Sequence, residues 1–301
     1  MKKLLILSLF LVTFNSYAFD ISLSYSPVTT AVLKASVESG ANVSFHRKAG
    51  EAMVKLVKGQ ADMAVVPLFL AVKLKNEGTD ISVLNTLFGD MLFVLNNTGK
   101  VKSLEDLKGN KVYIGKGSGP LNLFPKMLFE KAGVAGDVEL VGSTAMQIAQ
   151  LAATGKARVS VLREPLVTMV MSKNEYVRKA INFQSEWERH FGGRFIQAAL
   201  VVRGDFAKDN RELIKSFQKK LTEADGWVRE NPKESAAFFV KHTSRGKAGI
   251  IAKSIKSMQP KTEIPDSSEV MSFISLLLEK FGDDVGGKMP DKDFIADAGL
   301  Y

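Results

Sequence analysis

The chain has 301 residues, of which 46% are hydrophobic and 24% are charged. This composition is typical of a globular protein with one large or two medium domains, and it argues against intrinsic disorder. The sequence contains no cysteine, which excludes disulfide bonds, thiol nucleophiles, cysteine metal clusters and a lipid-modified cysteine. Because the lysines are scattered rather than clustered, the net charge of +9 favours a basic soluble surface over nucleic-acid binding.

Residues 1–18 have the pattern of a secretory signal peptide. Lys2 and Lys3 precede an apolar run over Leu4–Phe14, and Ser16-Tyr17-Ala18 resembles a small-x-small cleavage site. The alternative, a membrane anchor, needs about 17 consecutive apolar residues, more than this run provides. We therefore predict cleavage after residue 18, which lowers the net charge from +9 to +7. The expected location is the periplasm, without a lipid anchor.

After this segment, one order of strands and helices occurs twice. The first copy covers residues 20–67 and the second residues 111–165, each with three strands, two helices and a proline after the first and third strands. Matching landmarks, such as Pro27 with Pro120 and Ala52 with Ala145, keep the same separation. Strands such as "MAVV" and "VSVL" are continuously apolar, which is typical of parallel strands buried on both faces. The pattern predicts two α/β lobes, each built on a βαβαβ unit.

The second helix of the first copy is predicted to turn Met53, Leu56 and Val57 inward, with Lys55 and Lys58 outward. We place the passages of the chain between lobes near Asn96–Lys100 and Leu200–Arg203. These passages divide the mature chain into lobe 1, residues 19–97 and 203–301, and lobe 2, residues 98–202.

Beyond the strand in "FIQAALVVRGDF", the sequence predicts helices only. One helix has an apolar stripe over Leu213, Phe217, Leu221, Ala224 and Val228, and the last has Val270, Phe273, Ile274, Leu277 and Phe281. Between them, Asn231-Pro232 is typical of a helix start, with the asparagine side chain accepting free amides and proline at the first position. We expect this helical tail to pack on lobe 1.

In open α/β sheets the ligand lies beyond the carboxyl ends of the strands. Four strand ends carry prolines and are predicted to meet at one cleft between the lobes: residues 25–29, 66–68, 117–120 and 163–166. Ser26 and Ser118 either cap helices or bind the ligand. Glu164 either accepts a hydrogen bond from the ligand or pairs with Arg163 or Arg158. Because we place no arginine in the cleft, oxyanions are not favoured over neutral heterocycles.

The sequence offers little that is typical of an enzyme. It lacks the G-x-x-x-x-G-K-[ST], G-x-G-x-x-G, G-x-S-x-G and H-E-x-x-H motifs. His46, His190 and His242 lie in three separate segments, and we interpret them as surface or internally satisfied histidines. Trp227 is interpreted as a packing residue, while Trp187 either packs or stacks on a ring. We predict a protein without catalytic residues, metal or cofactor.

Four segments, residues 51–67, 103–120, 162–174 and 195–206, resemble periplasmic substrate-binding proteins of ABC importers. The resemblance is to the NMT1/THI5-like family, which includes binders of sulfonates, nitrate and thiamine-pyrimidine precursors. It implies a type II periplasmic-binding fold, with two lobes joined by two crossover segments. It also implies that the ligand is bound by Ser26, Pro27, Pro67, Leu68, Phe88, Gly89, Ser118, Gly119, Pro120, Glu164 and Pro165. Among these residues, Phe88 is expected to stack on the ligand.

The function implied by this resemblance is the solute-binding component of an ABC import system. Such a protein captures a small molecule between its lobes by hinge closure and delivers it to a permease in the inner membrane. We expect a monomer that does not bind nucleic acid. The alternatives are an exported enzyme on the same scaffold and a ligand-sensing receptor that docks on a membrane signalling protein.

Overall fold

A computed structural model describes residues 19–117 and 119–301. The predicted signal peptide and Ser118 therefore lie outside the described residues. The strands are β1 (Asp20–Ser24), β2 (Asn42–His46), β3 (Met63–Pro67), β4 (Ile81–Phe88), β5 (Leu92–Asn96), β6 (Lys111–Gly115), β7 (Glu139–Ser143), β8 (Val159–Arg163), β9 (Arg178–Asn182), β10 (Ala198–Arg203) and β11 (Lys261–Glu263). The first seven helices are α1 (Thr30–Glu38), α2 (Ala49–Val57), α3 (Leu68–Asn76), α4 (Pro120–Lys131), α5 (Ala145–Ala153), α6 (Leu166–Lys173) and α7 (Phe183–Phe191). The remaining helices are α8 (Gly204–Asp209), α9 (Arg211–Glu230), α10 (Pro232–Thr243), α11 (Ala248–Met258) and α12 (Ser267–Phe281).

The strands form two sheets that repeat the same local order, which confirms the predicted α/β architecture. The first sheet has the order β11-β4-β10-β3-β1-β2, and the second β7-β6-β8-β5-β9. In each sheet, the first strand of the βαβαβ unit pairs in parallel with the other two strands of that unit. In the first sheet β1 pairs with β2 and β3, and in the second sheet β6 pairs with β7 and β8. An antiparallel strand follows the third one, β10 in the first sheet and β5 in the second. The duplicated sequence pattern thus corresponds to a duplicated sheet.

The chain passes between the sheets earlier than the sequence suggested. β5 pairs with β8 and β9, so the first passage lies at residues 89–91 and not near Asn96–Lys100. β10 pairs with β3 and β4, so the second passage lies within residues 192–197, after α7, and not near Leu200–Arg203. The sequence misplaced both because an apolar strand does not specify which sheet it joins. We therefore refer to residues 19–88 and 198–301 as lobe 1, and to residues 92–191 as lobe 2.

The inward face of α2 also differs from its prediction. Ala52 and Leu56 are buried, whereas Val57 is 59% exposed and Val54 is 51% exposed. The side chain of Lys55 is half-buried and its Nζ donates to Ser44 Oγ at 2.8 Å. The apolar stripe of α2 is therefore rotated towards Ala52, which leaves two valines in contact with solvent.

The C-terminal tail packs on lobe 1, as predicted. The stripe of α9 is buried against α1, and α12 buries its apolar residues beside α3. The tail is not entirely helical, because β11 extends the first sheet along β4.

At the start of α10, the Asn231 side chain caps no amide and instead donates from Nδ2 to the Trp227 carbonyl at 3.1 Å. Trp227 packs against Phe238, and Lys34 Nζ lies 4.8 Å from its ring centroid, so it is a packing residue.

Candidate functional site

The carboxyl ends of strands from both lobes border one cleft of about 250 Å³. Lobe 1 contributes the ends of β1, β2 and β3, and lobe 2 contributes the end of β8 and the first turn of α4. Of the predicted ligand-binding residues, Ser26, Pro67 and Pro120 line this cleft. The Ser26 hydroxyl makes no capping hydrogen bond with the described residues, which leaves it available to a ligand. The cleft therefore lies where an open α/β sheet is expected to bind a ligand.

Several other predicted residues do not border the cleft. Pro27 and Leu68 are buried in lobe 1, Pro165 lies at the start of α6, and Gly119 borders two neighbouring cavities. These residues follow the strand ends in sequence, but each strand end turns only some of its side chains to the cleft.

Phe88 and Gly89 are covered by the protein itself, contrary to the predicted stacking role. Phe88 is 5% exposed, and the guanidinium carbon of Arg194 lies 3.9 Å from its ring centroid. Gly89 has a φ of +150°, and a Cβ at this position would lie 3.0 Å from the carbonyl oxygen of Met258. Phe88 ends β4 and Gly89 begins the first passage between the lobes, and close packing around both leaves no room for a ligand ring.

Glu164 is buried away from the cleft, and neither predicted alternative for it holds. Its carboxylate accepts a hydrogen bond from the Thr168 amide at 3.0 Å and lies 3.2 Å from Lys179 Nζ. Lys179 lies on β9, its Nζ is 4.0 Å from the Phe93 ring centroid, and it also donates to Ser257 Oγ in lobe 1. The negative charge of Glu164 is thus compensated within the protein, and Glu164 does not line the cleft.

The residue before it, Arg163, extends into the cleft from lobe 2. Its side chain is exposed to the cleft, but protein surrounds the cleft on several sides and removes part of the bulk water around the guanidinium. This desolvation lowers the pKa of Arg163. An arginine still keeps its charge at neutral pH. Among the described residues, no carboxylate forms an ion pair with Arg163. Its charge is therefore available to a ligand.

Arg47 presents a second guanidinium from lobe 1, directly after β2. Its backbone amide donates to Glu51 at 3.1 Å, but within the described chain its side chain has no carboxylate partner. Residues Ser24, His46 and Gln197 add polar groups to the same cleft, and none of the described lining residues is acidic. The cleft is thus electrostatically positive, with one arginine on each lobe.

His46 is the least exposed of these polar residues. It is 3% exposed, and its Nδ1 lies 3.0 Å from Ser22 Oγ on β1. Burial lowers the pKa of His46 to about 4, Glu51 opposes this effect and Lys55 adds to it. The ring is therefore neutral at pH 7 in the free protein.

Apolar residues form the rest of the wall, chiefly Phe124 of α4 and Phe195 of the second passage. Their ring centroids are 4.6 Å apart at an interplanar angle of 77°, an edge-to-face contact. Trp187 is 1% exposed with its ring centroid 4.8 Å from that of Phe195, so it packs behind this wall and does not reach a ligand. Phe124 also contacts Phe69 of lobe 1, with ring centroids 6.2 Å apart, so the aromatic residues link the two lobes beside the cleft.

A larger cavity of about 510 Å³ lies between α7 and the start of α12. Its arginine, Arg194, is already bound by Glu269 through two hydrogen bonds of 2.8 and 2.6 Å and by Glu263 at 2.7 Å. Because its charges are neutralised within the protein, this cavity is a weaker candidate for a solute site than the cleft.

Sequence reasoning did not single out four polar side chains that line the cleft: Arg47, Arg163, His46 and Gln197. A usable signal existed for the first two, since Arg163 is the last residue of a strand and Arg47 directly follows one. Over residues 19–117 and 119–301 there is no cluster of side chains suited to a metal ion. Over the same residues, no helix is both long and apolar enough to cross a membrane.

Two α/β lobes of this topology, joined by two passages and separated by a cleft at their strand ends, form a type II periplasmic-binding fold, as the sequence predicted. The chain belongs to the NMT1/THI5-like family, whose model matches residues 37–235. A comparison with curated proteins finds no match.

Solved structures share this fold over almost the whole chain. An ABC transporter protein from Parabacteroides distasonis is 22% identical, with a TM-score of 0.78 over 93% of this chain and 99% of that one. The periplasmic aliphatic sulphonate binding protein from Escherichia coli is 16% identical, with a TM-score of 0.72 over 91% of each chain. The periplasmic nitrate-binding protein from Synechocystis is 11% identical, with a TM-score of 0.64 over 89% of this chain and 84% of that one.

Proposed function

We propose that this chain is the solute-binding component of an ABC import system and that its solute is a small organic anion. The family and the fold support the first part of the proposal, because similar structures include periplasmic binding proteins for a sulphonate and for nitrate. The proposal includes export to the periplasm through residues 1–18 and delivery of the solute to a membrane permease.

The observation that carries the second part is the pair of arginines on opposite lobes. Arg47 and Arg163 line one cleft, and no acidic residue of the described lining neutralises them. An anion that contacts both guanidiniums binds the closed form more tightly than the open form, and this difference drives closure of the lobes. Arginine also matches planar oxyanions geometrically, because its fork of N–H groups can donate two parallel hydrogen bonds.

The remaining walls define the size and polarity of the solute. A cleft of about 250 Å³ lies at the small end of ligand pockets. Val28, Leu92, Phe124 and Phe195 offer an apolar surface to the part of the solute that carries no charge. We therefore favour a compact molecule with one anionic group and a short apolar portion, bound without being chemically changed.

The test is a thermal-shift and calorimetric screen of the mature protein against sulfonates, nitrate, small carboxylates, neutral pyrimidines and amines. We expect at least one anion to raise the melting temperature and the neutral and cationic compounds to leave it unchanged. A solute at a hundredfold excess over Kd stabilises a protein by about 2.7 kcal/mol. Stabilisation by neutral or cationic compounds alone would contradict the proposed anion.

A variant of the cleft makes this test specific. In Arg163→Met, we expect Kd for the anion to rise roughly 100-fold, because removing one partner of a desolvated charge pair costs about 3 kcal/mol. Arg158→Met is the matched control, because Arg158 is an exposed arginine just before the start of β8. Equal affinities of the two variants would exclude Arg163 from the site.

A further inference from the structure

His46 occupies an unusual position for a buried histidine. It ends β2 beside Arg47, its side chain is 3% exposed, and it lines the cleft. Its Nδ1 faces Ser22 Oγ at 3.0 Å, while its Nε2 makes no hydrogen bond with any described residue. Nε2 is not one of the buried polar atoms left without a partner in the described chain, so it keeps some access to solvent. Because Nε2 has no hydrogen bond within the described chain and His46 lines the cleft, this atom can form one with a ligand.

The charges around the ring determine its protonation. Arg47 and Lys48 follow it on the same chain segment, Glu51 and Lys55 face it from α2, and Arg163 lies on the opposite wall of the cleft. β1 contributes only the hydroxyl groups of Ser22 and Ser24. Glu51 is the single carboxylate of this group, and it already accepts the Arg47 amide at 3.1 Å. In the free protein, burial and Lys55 lower the pKa of His46 by more than Glu51 raises it, so the ring is neutral.

We infer that His46 is a ligand-binding residue and that it takes up a proton when an anion enters the cleft. This inference rests on the proposed function, since it requires an anionic solute. Bound beside Arg47, the anion adds the negative charge that the cleft lacks, and the imidazolium then donates Nε2–H to it. The ring changes from a neutral wall residue to a third cationic contact.

The expected effect can be worked out from Coulomb's law. A unit negative charge about 5 Å from the ring, at an effective dielectric constant of about 20, favours the imidazolium by roughly two powers of ten. The free ring has a pKa of about 4, so in the complex it is half-protonated at about pH 6. Because the complex binds more protons than the free protein, affinity rises as pH falls. We expect Kd to decrease roughly fourfold between pH 7.5 and pH 5.5.

The experiment is isothermal titration calorimetry of the mature protein with ethanesulfonate and nitrate, which stay ionised throughout this range. Titrations at pH 6 in buffers of different ionisation enthalpy give the number of protons taken up on binding. We expect a substantial fraction of one proton for the wild type. His46→Asn, which keeps a neutral donor but cannot titrate, is expected to take up none and to bind equally well at both pH values.

His242→Asn is the matched control, because His242 lies on α10 beside Phe238, outside the cleft, and its loss should leave proton uptake unchanged. NMR of the wild-type imidazole with and without anion follows the same titration without a variant. If neither of these anions nor any other anion of the screen binds the wild type, the proposed function is contradicted; if another anion of the screen binds, the same titrations are made with it. If an anion binds but proton uptake is absent, or persists in His46→Asn, the role of His46 is refuted while the proposed function stands.

Discussion

The buried pair of Glu164 and Lys179 allows a quantitative prediction about stability. The Glu164 side chain has no solvent exposure, the Lys179 side chain is 27% exposed, and their charged atoms are 3.2 Å apart. Replacing the lysine in Lys179→Met preserves its apolar stem beside Phe93 but leaves a buried carboxylate without a cation. Breaking a buried pair costs about 3 kcal/mol, at the lower end of the usual range because the lysine is partly hydrated.

The assay is urea unfolding of the ligand-free mature protein at pH 7, with Lys173→Met as a control for the loss of an exposed lysine on α6. In the double variant Lys179→Met with Glu164→Gln, the buried charge is gone and most of the loss should be recovered. We expect a coupling energy of about 2 kcal/mol from the double-mutant cycle. The pair does not stabilise the fold as argued if the free energy of unfolding of Lys179→Met lies within about 0.5 kcal/mol of the wild-type value. The same conclusion follows if the effects of the two substitutions on the free energy of unfolding are additive.

Two further substitutions test the support of the cleft and of lobe 1. In Gly115→Ala, the new Cβ would lie 2.6 Å from Leu121 Cβ, so we expect α4 to shift. Because Leu121 lines the cleft, Kd for the anion should rise roughly tenfold, as measured by calorimetry. Gln218 and Asn85 exchange two hydrogen bonds of 2.8 and 3.1 Å in the interior of lobe 1. Gln218→Leu should therefore cost about 2 kcal/mol in urea unfolding by leaving the Asn85 amide unpaired, and an unchanged midpoint would contradict this reasoning.

The architecture could be predicted from the sequence because its evidence is periodic and occurs twice. The duplicated βαβαβ unit is indicated by proline positions, glycine turns and continuous apolar strands. Each of these signals depends only on residues that are close together in the sequence. The assignment of β4 to the first sheet and of β5 to the second could not be predicted in this way. Three residues separate these strands, both are apolar, and their pairing with β10 and β8 depends on residues about 70 or more positions away.

The candidate site was harder to predict for a geometric reason. Successive side chains of a strand point to opposite faces, so at the end of β8 either Arg163 or Glu164 enters the cleft, and the sequence does not say which. In the structure, Glu164 contacts Thr168 and Lys179, whereas Arg163 lines the cleft. The partner that decides this, Lys179, lies on β9, and its approach to Glu164 is a property of the folded lobe. The same limit applies to His46, whose burial depends on its contact with β1.

The position of β10 has a consequence for the order in which the protein can form during synthesis. β10 lies between β3 and β4, so the central part of the first sheet is missing until residue 203 has been made. The second sheet uses only strands within residues 92–182, a continuous stretch. The lobe that begins later along the chain is therefore the one that can be completed first, whereas β3 and β4 of the other lobe lack the strand between them until translation supplies it.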